Sequence, residues 1–145
     1  MNVTTAIRLG YASALVSTIM HEGQPVPVYD AYSIPEGVKY PYIIISTQTE
    51  VERRVKWCRM YEATVLVDIV TGSLAPSGRR DSEDIAAQIE GIINPITGPQ
   101  VDITAHGFKI GDTEREMNFD SQDRNDVYYV YRKLVRYRHL VEKIL

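Results

Sequence analysis

The sequence predicts an α+β domain, a mainly antiparallel β-sheet with two α-helices packed on one face. Two segments repeat apolar residues at helical spacing, and five others are rich in the branched and aromatic residues typical of strands. The predicted order of elements is α-β-β-β-α-β-β. Because 44% of the 145 residues are hydrophobic, we expect residues 1–145 to form a single domain around one core.

The first predicted helix spans residues 4–20. One face of it would carry Ile7, Tyr11, Ala14, Leu15, Thr18 and Ile19, which recur every three or four positions. Thr4 or Thr5 is expected to cap its start. Residues 21–23 and Pro25 are expected to end it, since glycine reaches left-handed backbone angles and proline cannot continue a helix.

The second predicted helix begins in the middle of the chain, with Asp81 or Ser82 as its N-terminal cap. Its apolar face would carry Ile85, Ala86, Ile89, Ile92 and Ile93. Asn94 and Pro95 follow directly and are expected to end the helix.

Three strands are predicted between these helices. Residues 27–31 form the first, which runs into a turn at residues 35–37. Residues 40–47 are a dense run of branched and aromatic side chains, and residues 58–70 alternate between apolar and other side chains. We expect the last two runs to pair as a long antiparallel hairpin, with the charged residues 50–56 as its connection.

The remaining segments are two strands and two loops. Residues 72–78 are expected to be a loop before the second helix. Residues 101–110 have strand character that Gly107 interrupts, and residues 111–126 are so polar that an exposed, mobile loop is expected. Residues 127–141 are rich in tyrosine and valine, which predicts a long closing strand.

The charge balance argues against a chain that attracts nucleic acid as a whole. Sixteen Lys and Arg against 19 Asp and Glu give a formal net charge of -3, so any contact with DNA would come from a local patch or from many copies. The single Cys58 cannot form an intramolecular disulfide. No apolar run approaches the roughly 20 residues that span a bilayer, and residues 1–20 do not resemble a signal peptide. We therefore expect a chain made in a reducing cytoplasm without a membrane segment.

The sequence contains no pattern typical of an active site. His21, His106 and His139 are far apart and are expected to be surface or loop residues without partners. No serine lies in a G-x-S-x-G motif, and Cys58 lies at a predicted strand start, away from a helix N-terminus. Residues 72–80 join a strand to a helix as a phosphate-binding loop does, but they lack the Gly-Lys-Ser/Thr ending. We expect no enzymatic activity, no cofactor and no metal ion.

Two groups of basic residues are the best candidates for intermolecular contacts. The first group, in the predicted hairpin connection, is Arg53, Arg54 and Lys56. The second group, on one face of the last predicted strand, is Arg132, Arg136 and Arg138, while Lys133 points the other way. Each group would either be solvated or paired within the chain, or it would contact neighbouring subunits or DNA.

Tyrosines add a second signal for an interface. The chain has ten tyrosines and two phenylalanines, a bias towards aromatic rings whose polar tip tolerates water. The tyrosines of the last predicted strand cannot all point into one core, and we expect Tyr128 and Tyr131 to lie at a subunit interface or a DNA channel. Exposed strand edges are another way in which subunits could pair.

The order of elements and several short segments resemble the tail-terminator and tail-completion family of tailed bacteriophages. The segments that carry the resemblance are Val28-Tyr29-Asp30-Ala31, Pro35-Glu36-Gly37, Tyr40-Pro41-Tyr42-Ile43-Ile44-Ile45, Asp68-Ile69-Val70 and Ile85-Ala86-Ala87-Gln88-Ile89. The resemblance covers residues 1–105. Residues 111–126 and the tyrosine-rich and arginine-rich final strand do not match the family pattern.

The resemblance implies a virion structural protein made in the host cytoplasm. Such a subunit assembles into a ring, commonly a hexamer and in some necks a larger ring, that terminates the tail or joins it to the head connector. Its expected partners are copies of itself, the adjoining tail-tube, neck or connector proteins, and passing genomic DNA. Two alternatives remain: a nucleic-acid-binding module with local basic patches, which would bind DNA as a monomer in a salt-sensitive way, and a small enzyme, which would need a pocket of convergent titratable groups.

Overall fold

The structure is a computed structural model that describes residues 1–76, 79–98, 101–125 and 127–144. It confirms the α+β class. In chain order the elements are α1 (Val3–Leu15), three short strands β1 (Met20–His21), β2 (Gln24–Pro25) and β3 (Val28–Asp30), the long strands β4 (Tyr42–Val55) and β5 (Cys58–Ser73), α2 (Arg79–Ile93), a single 3-10 turn (Thr104–His106), and the long strands β6 (Phe108–Arg124) and β7 (Tyr129–Lys143).

Five strands form the main sheet in the order β3-β4-β5-β7-β6, while β1 and β2 form a small separate hairpin. β4, β5, β7 and β6 are antiparallel to their neighbours. The exception is β3, which pairs with β4 in parallel over three residues. The predicted hairpin of residues 40–47 and 58–70 is confirmed, and its central register places Ile45 opposite Val67.

Both helices pack on one face of this sheet, here called the helix face, and the core lies between them and the strands. Because side chains alternate across a strand, every second residue of β7, of the central part of β5 and of the first part of β4 points into that core. The largest buried side chains are Ile7, Tyr11, Leu15, Ile43, Ile69, Ile85, Ile89, Ile93 and Tyr137. Three of the isoleucines predicted to share one face of the second helix, Ile85, Ile89 and Ile93, are buried in the structure.

The first helix is shorter than predicted and is capped by a different residue. Asn2 is the cap, since its side chain accepts a hydrogen bond from the Thr5 N–H at 2.9 Å. The helix ends at Leu15, and not at residue 20, because Val16 is already extended, with a ψ of 128°, and Ser17 has a left-handed φ of 64°. In the turn that follows, the hydroxyl of Thr18 donates to the carbonyl of Ala14 at 2.6 Å. Ile19 remains buried, but it lies after the helix.

The second helix begins at Arg79, two residues before the first predicted cap. Asp81 lies inside its first turn, where a carboxylate interacts favourably with the helix dipole. The Ser82 hydroxyl donates to the Arg79 carbonyl at 2.8 Å and so acts within the turn and not as a cap. The prediction of a loop at residues 72–78 is partly wrong, because β5 continues to Ser73. Residues 77 and 78 of the predicted loop lie outside the described ranges.

Residues 111–126 were predicted as a mobile loop, and this prediction is wrong for residues 111–124, while Asp126 lies outside the described residues. Residues 108–124 form a 17-residue edge strand that pairs with β7 along its whole length. Irregularities after Ile110 and after Arg115 shift the register and break the alternation of side chains. Charged side chains are compatible with such a strand because only one of its edges is paired and most of its side chains are exposed. The strand predicted at residues 101–110 is wrong in its first part, because residues 104–106 form a 3-10 turn that Gly107 ends with a φ of 85°, and β6 begins only at Phe108.

The connection predicted at residues 50–56 is also mostly strand. β4 continues to Val55, and only Lys56 and Trp57 form the turn to β5. Charged residues persist here because residues 48–55 of β4 are exposed on both faces of the sheet. The hairpin is therefore longer, and its turn tighter, than the sequence predicts.

Candidate assembly surfaces

Three arginines of β7 lie side by side on the face of the sheet opposite the helices, here called the open face. Their alternation with the buried Val135 and Tyr137 confirms that they share one face. Each lies beside a carboxylate of a neighbouring strand: Arg132 beside Asp68, Arg136 beside Glu116 and Arg138 beside Glu114. Lys133 points to the other face, where it is buried and its Nζ lies 3.2 Å from Asp120 Oδ1.

The pair with Asp68 is the most enclosed of the three. Asp68 is a buried carboxylate, and both of its oxygens accept hydrogen bonds from Arg132, with Nε at 3.3 Å from Oδ1. This hydrogen bonding raises the pKa of Arg132. Arg136 Nε lies 2.6 Å from Glu116 Oε2 as an ion pair, although its N–H makes no hydrogen bond. The three arginines are thus neutralised within the chain and do not present free positive charge.

An aromatic cluster covers one end of the open face. The ring of Tyr40 stacks on Tyr42 with centroids 5.9 Å apart and meets the edge of Tyr128 at 5.4 Å. Tyr40 lies directly over Gly72, where a Cβ atom would come within 2.4 Å of the ring. Tyr128, predicted at an interface, is 37% exposed within this cluster. Tyr131, predicted beside it, lies on the helix face and is half-buried, so the structure separates these two tyrosines.

Both edges of the main sheet present unpaired backbone. β6 pairs with β7 on one side, and among the described residues no strand pairs with its other side. At the opposite edge, β3 covers β4 only from Ile43 to Ile45, which leaves β4 open from Ser46 to Val55. Charged and polar side chains such as those of these two edges prevent indiscriminate strand pairing. These edges can still pair with a partner strand whose side chains are complementary to theirs.

The predicted basic group at the hairpin has only one member in the turn. Arg53 Nη2 lies 3.1 Å from Glu62 Oε2 across the hairpin, and Arg54 Nε lies 3.5 Å from Glu52 Oε1. Lys56 is in the turn, with its Nζ 5.2 Å from the centroid of the Trp57 ring. Arg53 therefore belongs to an internal ion pair, whereas Lys56 lies at the tip of the hairpin.

A buried polar cluster that the sequence does not reveal joins α1, β6 and β7. The Tyr11 hydroxyl hydrogen-bonds His139 Nε2, and His139 Nδ1 lies 2.9 Å from the Thr113 hydroxyl. The expectation that His139 is a surface or loop residue without partners is wrong, because it has no exposed surface. Burial lowers the pKa of His139 to about 4. A side chain so enclosed fixes the packing of α1 against the sheet.

A second buried hydroxyl lies near this cluster. Tyr137 donates its hydroxyl hydrogen to Glu90 of α2, and Arg115 of β6 lies 3.9 Å from the same carboxylate. Burial raises the pKa of Tyr137, and the hydrogen bond to Glu90 raises it further. These contacts tie α2 to the two strands at the β6 side of the sheet.

Among residues 1–76, 79–98, 101–125 and 127–144, no three His, Cys, Asp or Glu side chains are close enough together to hold a metal ion. No helix in that part of the chain is long and apolar enough to cross a membrane.

Comparison with solved structures shows where this fold recurs. A chain in the structure of the virion of a native gene transfer agent particle superimposes with a TM-score of 0.60 at 11% identity, covering 97% of this chain and 94% of that chain. A second solved structure, of a protein without a descriptive name, matches with a TM-score of 0.50 at 14% identity, covering 93% and 94%. Identities this low show a shared fold. No protein-family model matches the sequence, and no curated protein matches it significantly.

Proposed function

We propose that this chain is a structural subunit of a phage-type virion, a tail terminator or neck protein that assembles into a ring. The observation that carries the proposal is the agreement of nearly the whole chain with one chain of a gene transfer agent virion, at 97% and 94% coverage. That agreement extends past residue 105, where the sequence resemblance to tail terminators stops. His139 is enclosed in the core and the three arginines of β7 are paired within the chain, and we propose no enzymatic activity.

The two open sheet edges offer a way to close the ring. In the sheet β4 and β7 run in one direction and β5 and β6 in the other, as the antiparallel pairings require. The outer edge of β6 in one copy and the free part of β4 in the next would therefore pair antiparallel, which continues the pattern of the sheet. Such a contact uses two different surfaces of the subunit, and this heterologous geometry is the kind that closes into rings.

The open face provides the second surface for assembly. Exposed Phe119 and half-buried Leu134 lie there among the arginine and carboxylate pairs. Apolar patches rimmed by charge are typical of interfaces between proteins. In the proposed virion this face would meet the adjoining tail-tube, neck or connector protein, and the ring, a hexamer or a larger neck ring, would surround the passing genomic DNA.

A cross-linking experiment tests the edge contact. The double variant Glu50→Cys and Asn118→Cys, in a Cys58→Ser background, places one thiol on β4 and one on β6, both on the helix face. With a short bifunctional thiol reagent, we expect a ladder of covalent oligomers with a fixed upper limit equal to the ring size. Each single-cysteine variant is the matched control and should give no ladder.

Two outcomes would contradict the proposal. A double variant that yields no product beyond those of the single variants would exclude the pairing of β4 with β6. A ladder without an upper limit would show an open filament in place of a closed ring.

A further inference from the structure

The tip of the β4–β5 hairpin carries a large exposed aromatic side chain. Trp57 is 87% exposed, and Val55 beside it is half-exposed. Lys56 lies against one face of the Trp57 indole, which leaves the other face open. Tryptophan is seldom left in water, because its ring has more apolar area to bury than most side chains. A ring held at the end of a projecting hairpin is therefore placed to contact a partner.

Four cations surround this ring. Arg54, Lys56, Arg59 and Lys143 line a shallow groove together with Trp57 and Ile144. Of these four cations, only Arg54 has a carboxylate of the described residues at ion-pair distance, Glu52 at 3.5 Å. The formal net charge of the chain is -3, and these four side chains contribute +4, so the rest of the chain carries -7. The groove is a local exception to an acidic protein.

The register of the hairpin makes the cluster more unusual. Arg54 is the direct cross-strand partner of Arg59, and like charges in directly opposite positions destabilise a sheet. β7 adds a third cation from its end, because Glu142 pairs with Met60 and Lys143 is the next residue. An anion bound in the groove would relieve this repulsion. The cluster of like charges does not itself stabilise the fold.

We propose that the hairpin tip, defined as Arg54, Lys56, Trp57, Arg59 and Lys143, binds the phosphate backbone of nucleic acid. Each cation can pair with one phosphate, and the open face of Trp57 can stack on an unpaired base. An acidic protein segment would satisfy the cations, but nucleic acid carries a planar base beside every phosphate, so it is the better fit to cations that surround an exposed indole. The site lies within a single chain and stands whether or not the chain forms a ring.

Trp57 is the only tryptophan of the chain, so its fluorescence reports directly on the site. Titration of the full chain with a single-stranded oligonucleotide and with a duplex of equal length should quench it, and the single strand should quench it more because only unpaired bases stack. With four phosphates neutralised, the logarithm of the binding constant should fall against the logarithm of salt concentration with a slope of about -3 for the single strand and about -4 for the duplex.

Variants separate the contribution of charge from that of stacking. The double variant Lys56→Gln and Arg59→Gln should reduce the slope for the single strand by about 1.4. Trp57→Ala, followed by the anisotropy of a labelled oligonucleotide, should weaken single-strand binding by roughly 5- to 150-fold while the slope stays the same. The matched control Lys39→Gln and Arg80→Gln removes the same charge from exposed positions away from the hairpin tip and should bind almost as the parent does.

Three outcomes would overturn the proposal. The first is the absence of salt-dependent binding to either oligonucleotide at low ionic strength. The second is an equal loss of affinity in the control and the tip variants, which would indicate attraction without a site. The third is quenching by polyglutamate but not by nucleic acid, which would identify an acidic protein as the partner. Because all substituted side chains are exposed, circular dichroism should show the parent fold in every variant.

Discussion

Acidification should destabilise the fold through His139. Its ring is wholly buried between Tyr11 and Thr113, and burial lowers its pKa to about 4. In the unfolded chain a histidine titrates near pH 6.5. At a pH between these two pKa values, His139 is protonated in the unfolded state and neutral in the folded state. The stability that neutral His139 contributes is therefore complete above about pH 6.5 and is lost as the pH falls towards about 4.

The size of the effect follows from the difference between the two pKa values. Each unit corresponds to about 1.4 kcal/mol, so the free energy of unfolding should fall by about 3 kcal/mol across the whole window. That is a large part of the roughly 5 to 15 kcal/mol that stabilises an ordinary domain.

Urea unfolding at a series of pH values measures this loss. Carboxylates titrate in the same range, so the informative quantity is the difference between the parent chain and His139→Gln. That difference should change by about 1.4 kcal/mol per pH unit within the window. His106→Gln, at a half-buried position outside the core, is the control and should keep the parental pH dependence. A difference between the parent and His139→Gln that stays constant with pH would refute the reasoning.

Three further substitutions test the packing. Gly10→Ala should lower the free energy of unfolding by about 1–3 kcal/mol, because the new methyl group would lie 2.5 Å from Cγ2 of Ile103; Gly91→Ala, in a helix with nothing within 4 Å, should raise it by up to about 1 kcal/mol. Asp68→Asn should cost about 2 kcal/mol, since a buried charged partner of Arg132 is lost. Chemical denaturation measures all three, and a stabilising Gly10→Ala or a neutral Asp68→Asn would contradict the described contacts.

The parts of the fold that follow a regular apolar period were predictable. The alternation in residues 58–70 and the isoleucines of α2 each identify one buried face, and the structure confirms both. The helix boundaries were less accurate because they depend on single local contacts, such as the hydrogen bond from the Thr5 N–H to the Asn2 side chain. Such local competition leaves no periodic signal.

β6 was not predictable from its own residues. Its stability comes from pairing with β7 over 15 positions, and the order of its side chains is interrupted by two register shifts. The partners of His139 were hidden for a related reason, since Tyr11 lies 128 residues away in the sequence. Contacts across such separations are set by the assembled sheet.

The positions of several candidate contact residues were predictable from the sequence, but their partners were not. The sequence placed Lys56 at the hairpin tip and put Arg132 and its neighbours on one face. It gave no indication that those arginines are paired with carboxylates, because Glu114 and Glu116 belong to the unpredicted strand. Trp57 lies between the predicted connection and the next predicted strand and was not singled out from the sequence. The approach of Lys143 requires the register of β5 with β7.

The mass of the assembled protein tests the central proposal most directly. Light scattering coupled to size exclusion, over a concentration series, gives the mass of each species, and negative-stain images give its shape. We predict a single closed ring whose mass is a fixed multiple of the 16.5 kDa chain, six copies or a larger neck ring. A monomer at every concentration, or open filaments of variable length, would contradict the proposal that the chain closes into a ring by itself.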